Sequence, residues 1–173
     1  MSVRNLVTIV YGFAAEIRNG RSLDDVLRHA DSEVDELREE IAKVSQGQAE
    51  GDDGVVGEAV DIITCVVDLQ HEAGVPLEDA IKTIDGLLRT LPTTQLKEIS
   101  SFVKAVEVDL ALLGNAVTSP DAALTLTAFA VRNLLMLIRH HAPDTTMEQI
   151  EEIAQKKCEK WKRHYANSID RVR

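Results

Sequence analysis

Residues 57–70, "GEAVDIITCVVDLQ", decide how this chain folds. After Asp61, the run Ile62–Val67 carries no charge at all. A helix apolar on every side belongs in an interior rather than on a surface. The spacing predicts a helix over 55–73, stopped by Gly74, with Glu58 and Asp61 at one end of a deeply buried element. Upstream, "DSEVDELREEI" at 31–41 falls within a helix running from Ser22 to about Ser45. Leu23, Val26, Leu27, Ala30, Val34, Leu37 and Ile41 line one side of it. Ser22 has the chemistry of an N-cap, and Asp24 and Asp25 place anions where the helix dipole favours them. The segment between the two helices, "QGQAEGDDG", has three glycines, three acids and no periodicity, and reads as a loop.

Working outward, the same logic predicts helices nearly everywhere. Val3, Leu6, Val7, Val10, Phe13, Ala14 and Ile17 make a helical stripe over 3–18, ended by Asn19-Gly20. Pro76 opens another helix that ends before Pro92, and three more are expected at about 94–113, 121–141 and 145–166. No strand-like alternation is present. The expected fold is all-α: a bundle of about seven helices forming a single domain over residues 1–173.

The last six helices read as two copies of a three-helix unit, 22–92 and 94–168. "EVDELREEI" from Glu33 aligns with "EVDLALLGN" from Glu107, an offset of 74. "AVDII" from Ala59 aligns with "AVRNL" from Ala130, an offset of 71, and "PLEDAI" from Pro76 with "TMEQI" at 146, an offset of 70. Helical proteins share such patterns cheaply, but a steady offset is less easily met by chance. The second copy is degenerate. Glu107 persists, while Leu110 stands for Glu36, Phe129 for Glu58 and Arg132 for Asp61.

Composition limits the function classes. The 173 residues carry a formal charge of −10, which argues against a nucleic-acid polymer as partner, because that affinity comes from basic neutralisation of phosphates. A nucleotide stays open, since a metal ion can mediate the contact. Cys65 and Cys158 lie on apolar-patterned segments with no CxxC, and read as reduced thiols. No signal peptide opens the sequence and no run reaches about 18 uninterrupted apolar residues, so a cytoplasmic protein with no membrane partner is expected.

The chemistry is carried by acids. Residues three apart share a helix face, so Glu33 and Glu36 can converge, as can Glu58 and Asp61. If the two helices pack antiparallel, four carboxylates meet in one cleft. Such a cluster is costly unless cations neutralise it. Hard oxygen donors suit Mg²⁺, or Mn²⁺, with positions left for water and phosphate oxygens. The plainer alternative is a solvated acidic face, which is how Glu39/Glu40, Glu151/Glu152 and Asp24/Asp25 are read. Asp35 projects away from the Glu33/Glu36 face, and Asp68 reads as a structural or rim acid. Cys65 is expected in the core, His140 and His141 at a helix end, and Trp161 in packing or on a base.

The order E-x-x-E, acidic loop, E-x-x-D resembles the signature of the MazG-like all-α nucleoside triphosphate pyrophosphatases, the group that includes dimeric dUTPases and dCTPases. The resemblance spans most of residues 3–91. The tail adds to it: "KKCEKWKRHY" places Lys156, Lys160, Arg163 and Tyr165 in the family's K-x-x-x-N-x-x-R-x-aromatic frame, with Lys160 in place of the Asn. Residues 86–91, "GLLRTL", depart from it: apart from Arg89 they lack the basic residues usual on that helix. The second copy's tail would then supply what the first dropped, making a composite site.

The resemblance implies Mg²⁺-dependent hydrolysis of a nucleoside triphosphate, usually a deoxynucleotide, to monophosphate and pyrophosphate. It implies Glu33, Glu36, Glu58 and Asp61 as metal ligands, with Glu36 orienting or deprotonating the attacking water. Lys156, Lys160, Arg163 and Tyr165 would bind substrate, and a homodimer is the implied assembly. Two other readings remain: a helical interaction module, and a nucleotide sensor without turnover.

Overall fold

A computed structural model describes residues 2–17, 21–90, 98–116 and 119–169, with side chains to residue 164. Among these residues there are seven helices and no strand. They are α1 (Arg4–Glu16), α2 (Leu23–Ser45), α3 (Gly54–Glu72), α4 (Leu77–Thr90), α5 (Ile99–Ala116), α6 (Pro120–His141) and α7 (Met147–Ile169). The all-α bundle expected from the sequence is the fold.

Every residue of α3 from Gly57 to Gln70 is buried. It can be so because α3 packs against four helices, α1, α2, α6 and α7. Its end is set by Gly74 at φ +76°, a conformation glycine adopts without penalty, which lets the Val75 N–H return to the Gln70 carbonyl at 3.0 Å. Ser22 caps α2 as its residue type predicts. Its hydroxyl accepts from the Asp25 N–H while Asp25 accepts from the Ser22 N–H, a reciprocal capping box. Thr146 and Gln149 make the same exchange at the start of α7, which fixes that helix at Met147, two residues later than expected.

Arg21, at the head of α2, reaches Asp68 near the tail of α3 at 2.5 and 3.0 Å, so the two helices run antiparallel. Asp68 is fully buried and this Arg21 pairing, joined by Glu72 at 3.1 Å, makes it structural. The α5–α6 pair is also antiparallel: Phe102 lies against His140 and Asp109 against Asn133.

The packing partners repeat. Exchanging α2 with α5, α3 with α6 and α4 with α7 maps α2–α3 onto α5–α6 and α4–α6 onto α3–α7, while the α3–α6 and α2–α5 contacts map onto themselves. A three-helix unit used twice around a pseudo-two-fold axis has this pattern. α1 stands outside it, packed on α3, α4 and α7. The third helix of each unit therefore lies on the second helix of the other, so α7 reaches the α2–α3 pair. α6 is long and apolar enough to cross a bilayer by composition, but 61% of that stretch is buried in the protein, as in a core helix.

Candidate functional site

The acids brought together by α2 and α3 are those the spacing predicts. Glu33, Glu36 and Glu58 each place a carboxylate oxygen within 4.8 Å of the other two. Asp61, one turn beyond Glu58, shares a cavity of about 350 Å³ with Glu33 and Glu36. That volume lies at the lower end of the range for small-molecule sites. Glu33, Glu58 and Asp61 are buried and Glu36 is exposed. Burial, followed by the neighbouring charges of Asp61, Glu36 and Glu58, lifts Glu33 to about 7. Glu58 is likewise raised to about 7, mainly by burial. Burial raises Asp61 as well, against the pull of Lys157.

The rest of the wall comes from α7. Lys157, Lys160, Trp161 and His164 line the same cavity, with His29 of α2 and Asp53 at the start of α3. Lys157 is buried, with its ammonium hydrogen-bonded to Asp61 and 2.8 Å from Asp53. Burial alone would depress this amine, but the two carboxylates outweigh it and hold it at about 12. At the far end, the Trp161 indole N–H donates to His29 Nε2 at 3.2 Å. The same Nε2 lies 3.4 Å from Glu33 Oε1, and burial holds the His29 imidazole below its ordinary pKa.

The substrate-binding residues expected from the tail separate in space. Lys160 faces the cavity. Lys156 is exposed and outside its lining, because α7 turns about 100° per residue and its inward face is the one carrying Ile150, Ala154, Lys157 and Trp161. Arg163 is exposed and donates to the Glu159 carbonyl of its own helix at 3.3 Å. The Tyr165 side chain lies outside the described residues. Sequence reasoning missed Lys157 and Asp53. Lys157 had a signal, since it is the one charged residue on the Ile150–Ala154–Trp161 stripe. Asp53 sat in a loop without periodicity, where nothing distinguished it from Asp52.

Glu40 corrects another reading. It is buried rather than solvated, accepting from the Gly51 N–H at 2.7 Å and pairing with Lys43. Glu50 accepts from the Val55 N–H at 2.8 Å. These two acids tie down the loop that delivers Asp53 and the first turn of α3.

The donor set fits a hard divalent cation. Octahedral Mg²⁺ with oxygens at about 2.1 Å needs neighbouring ligands about 3 Å apart and opposite ones about 4 Å apart. Glu33, Glu36 and Glu58, with oxygens within 4.8 Å of one another, lie in the range where three such ligands can share one ion. A second acidic group, Asp68, His71 and Glu72, does not fit, because Arg21 already occupies Asp68 and Glu72. Comparison with protein-family models, with curated proteins and with solved structures finds no match to this chain.

Proposed function

We propose that this chain is a divalent-metal-dependent nucleoside triphosphate pyrophosphohydrolase of the MazG-like kind, acting on a nucleoside triphosphate, most naturally a deoxynucleotide. One observation carries the reading. One cavity is lined both by carboxylates from α2 and α3 and by two lysines from α7. That polarity suits a polyphosphate bridged to acids by a metal, and the acids have the E-x-x-E, E-x-x-D order that suggested the family.

In this reading Glu33, Glu36 and Glu58 hold Mg²⁺ or Mn²⁺, with Asp61 as the fourth acid. A bound cation supplies charge neutralisation and acidifies a water. Glu36, the exposed member, would orient a water toward the α-phosphorus and accept its proton. A new P–O bond forms there as the bond to the bridging oxygen breaks, giving monophosphate and pyrophosphate. Lys160 and Lys157 lie where they can hold the phosphates and offset charge on the departing pyrophosphate. The two buried free cysteines suit a reducing, cytoplasmic setting for such an enzyme.

A second reading rests on the Lys157–Asp61 pair. An acid already neutralised from within suits a nucleotide sensor that binds without turnover. Pyrophosphate release from a panel of dNTPs and NTPs, with and without Mg²⁺, separates the two. Outer-shell changes at metal sites cost about 10–100-fold, so Glu58→Gln and Asp61→Asn are expected to cost at least about a hundredfold. Metal-dependent nucleotide binding without pyrophosphate release favours the sensor. Neither binding nor release removes the nucleotide reading altogether.

A further inference from the structure

Lys157 is an unusual neighbour for a metal site. Its ammonium is buried against Asp61 and Asp53, and it faces the same cavity as Glu33 and Glu36. Among the described residues, no other lysine or arginine forms a salt bridge with either aspartate. A charge on a low-exposure side chain interacts strongly with any second cation placed beside it, because little water screens the pair. Lys160, the other lysine of this wall, is exposed and acts on Asp53 and Asp61 through its charge.

We propose that Lys157 is a built-in counter-ion that competes with metal for Asp61, so that metal completes the four-acid site by displacing the Lys157 ammonium, a displacement that an incoming phosphate favours. This rests on the metal-dependent reading above. Its consequence is that metal and polyphosphate load together: metal alone meets an internal rival, and phosphate draws that rival away. The arrangement also keeps the buried Asp61 and its exposed neighbour Asp53 compensated, where the two carboxylates would otherwise repel. Lys157 is thus a positioning residue for the metal as well as a phosphate-facing one.

The test is Mn²⁺ titration of the full chain without nucleotide, followed by the electron paramagnetic resonance of free Mn²⁺, in wild type, Lys157→Met and Lys157→Arg. Removing the rival charge is expected to tighten Mn²⁺ binding by about tenfold or more in Lys157→Met. Lys157→Arg, which keeps the charge, should remain as weak as wild type. A merely structural lysine would leave affinity unchanged or weaken it, so equal or weaker binding by folded Lys157→Met overturns the proposal. A second measurement needs no substitution. Acetic anhydride should label Lys157 more slowly than Lys160 in the metal-free chain, and Mn²⁺ should speed labelling of Lys157 several-fold; labelling indifferent to bound Mn²⁺ overturns it. If neither wild type nor variant binds Mn²⁺, the metal reading itself falls with it. Equal binding by both removes only the role given to Lys157.

Discussion

At the scale of single residues, the four acids were legible because a three-residue spacing on a helix is a geometric statement, and Glu33, Glu36 and Glu58 do converge. What spacing could not show is which charges are already compensated. Arg38 clamps Glu107 at 2.6 and 2.8 Å, so the surviving acid of the second copy is an ion-paired surface group. Leu110, standing for Glu36, has joined the core. Asp109, two residues from Glu107, is half-buried, and desolvation lifts its carboxyl to about 6 even though Asn133 donates to it at 2.7 Å. This shift sets a pH dependence. Between the ordinary value of 3.8 and about 6, folded protein keeps a proton that unfolded chain has released. Stability is therefore lost as pH rises through that window, and the cost persists above it. Asp109→Asn should raise the melting temperature at pH 8 and change it little near pH 3.5. The gain at high pH should be on the order of 1 kcal/mol, below the full linkage value because water screens a half-buried group. Thermal melts across pH check it, and a substitution that destabilises equally at both extremes would contradict the assignment.

At the scale of elements, helix positions followed from apolar spacing and end chemistry, and Ser22, Gly74 and Pro76 marked boundaries where the structure has them. The ends the sequence could not explain are those capped from far away. α1 has no side-chain cap of its own. Its N-cap residue is held from α4: Asp85 accepts from the Val3 N–H at 2.8 Å and from the Ser2 hydroxyl at 3.0 Å, whose oxygen accepts from the Arg4 N–H at 3.3 Å. Asp85 lies 82 residues from Val3, and no local rule links them. The bond matters because α1 packs against α3, α4 and α7, and so backs both the core helix and the helix that carries the lysines. Asp85→Ala removes a cap and leaves a buried N–H unmet, a loss of about 1–2 kcal/mol. For a domain of this size that lowers the melting temperature by about 2–8 °C. Lys82→Ala, exposed in the middle of the same helix, is the control and should melt like wild type.

At the scale of the whole molecule, the repeated packing explains why the site is composite. Each unit's third helix lies across the other unit's second helix, so the first unit's acids meet α7 rather than α4. That "GLLRTL" keeps a single basic residue, Arg89, paired with Asp85 on its own helix, is understandable on this plan: α4 packs on α6 and α1, away from the acidic cluster. The offset of 70–74 residues hinted at two units, but only the packing shows that they exchange their third helices. Two units in one chain also fix stoichiometry. The second unit's equivalent positions are Leu110, Phe129 and Arg132, which offer no carboxylate. One chain should therefore hold one metal–nucleotide site, with all its walls drawn from α2, α3 and α7 of the same molecule. If the chain forms a homodimer, the dimer is not needed to complete the cavity. Pyrophosphate release per chain should stay constant as the protein is diluted through the dimer's dissociation, followed in parallel by light scattering. Activity that falls in step with dissociation would mean that a second copy supplies part of the site, and that the exchange of third helices does not make the single chain self-sufficient.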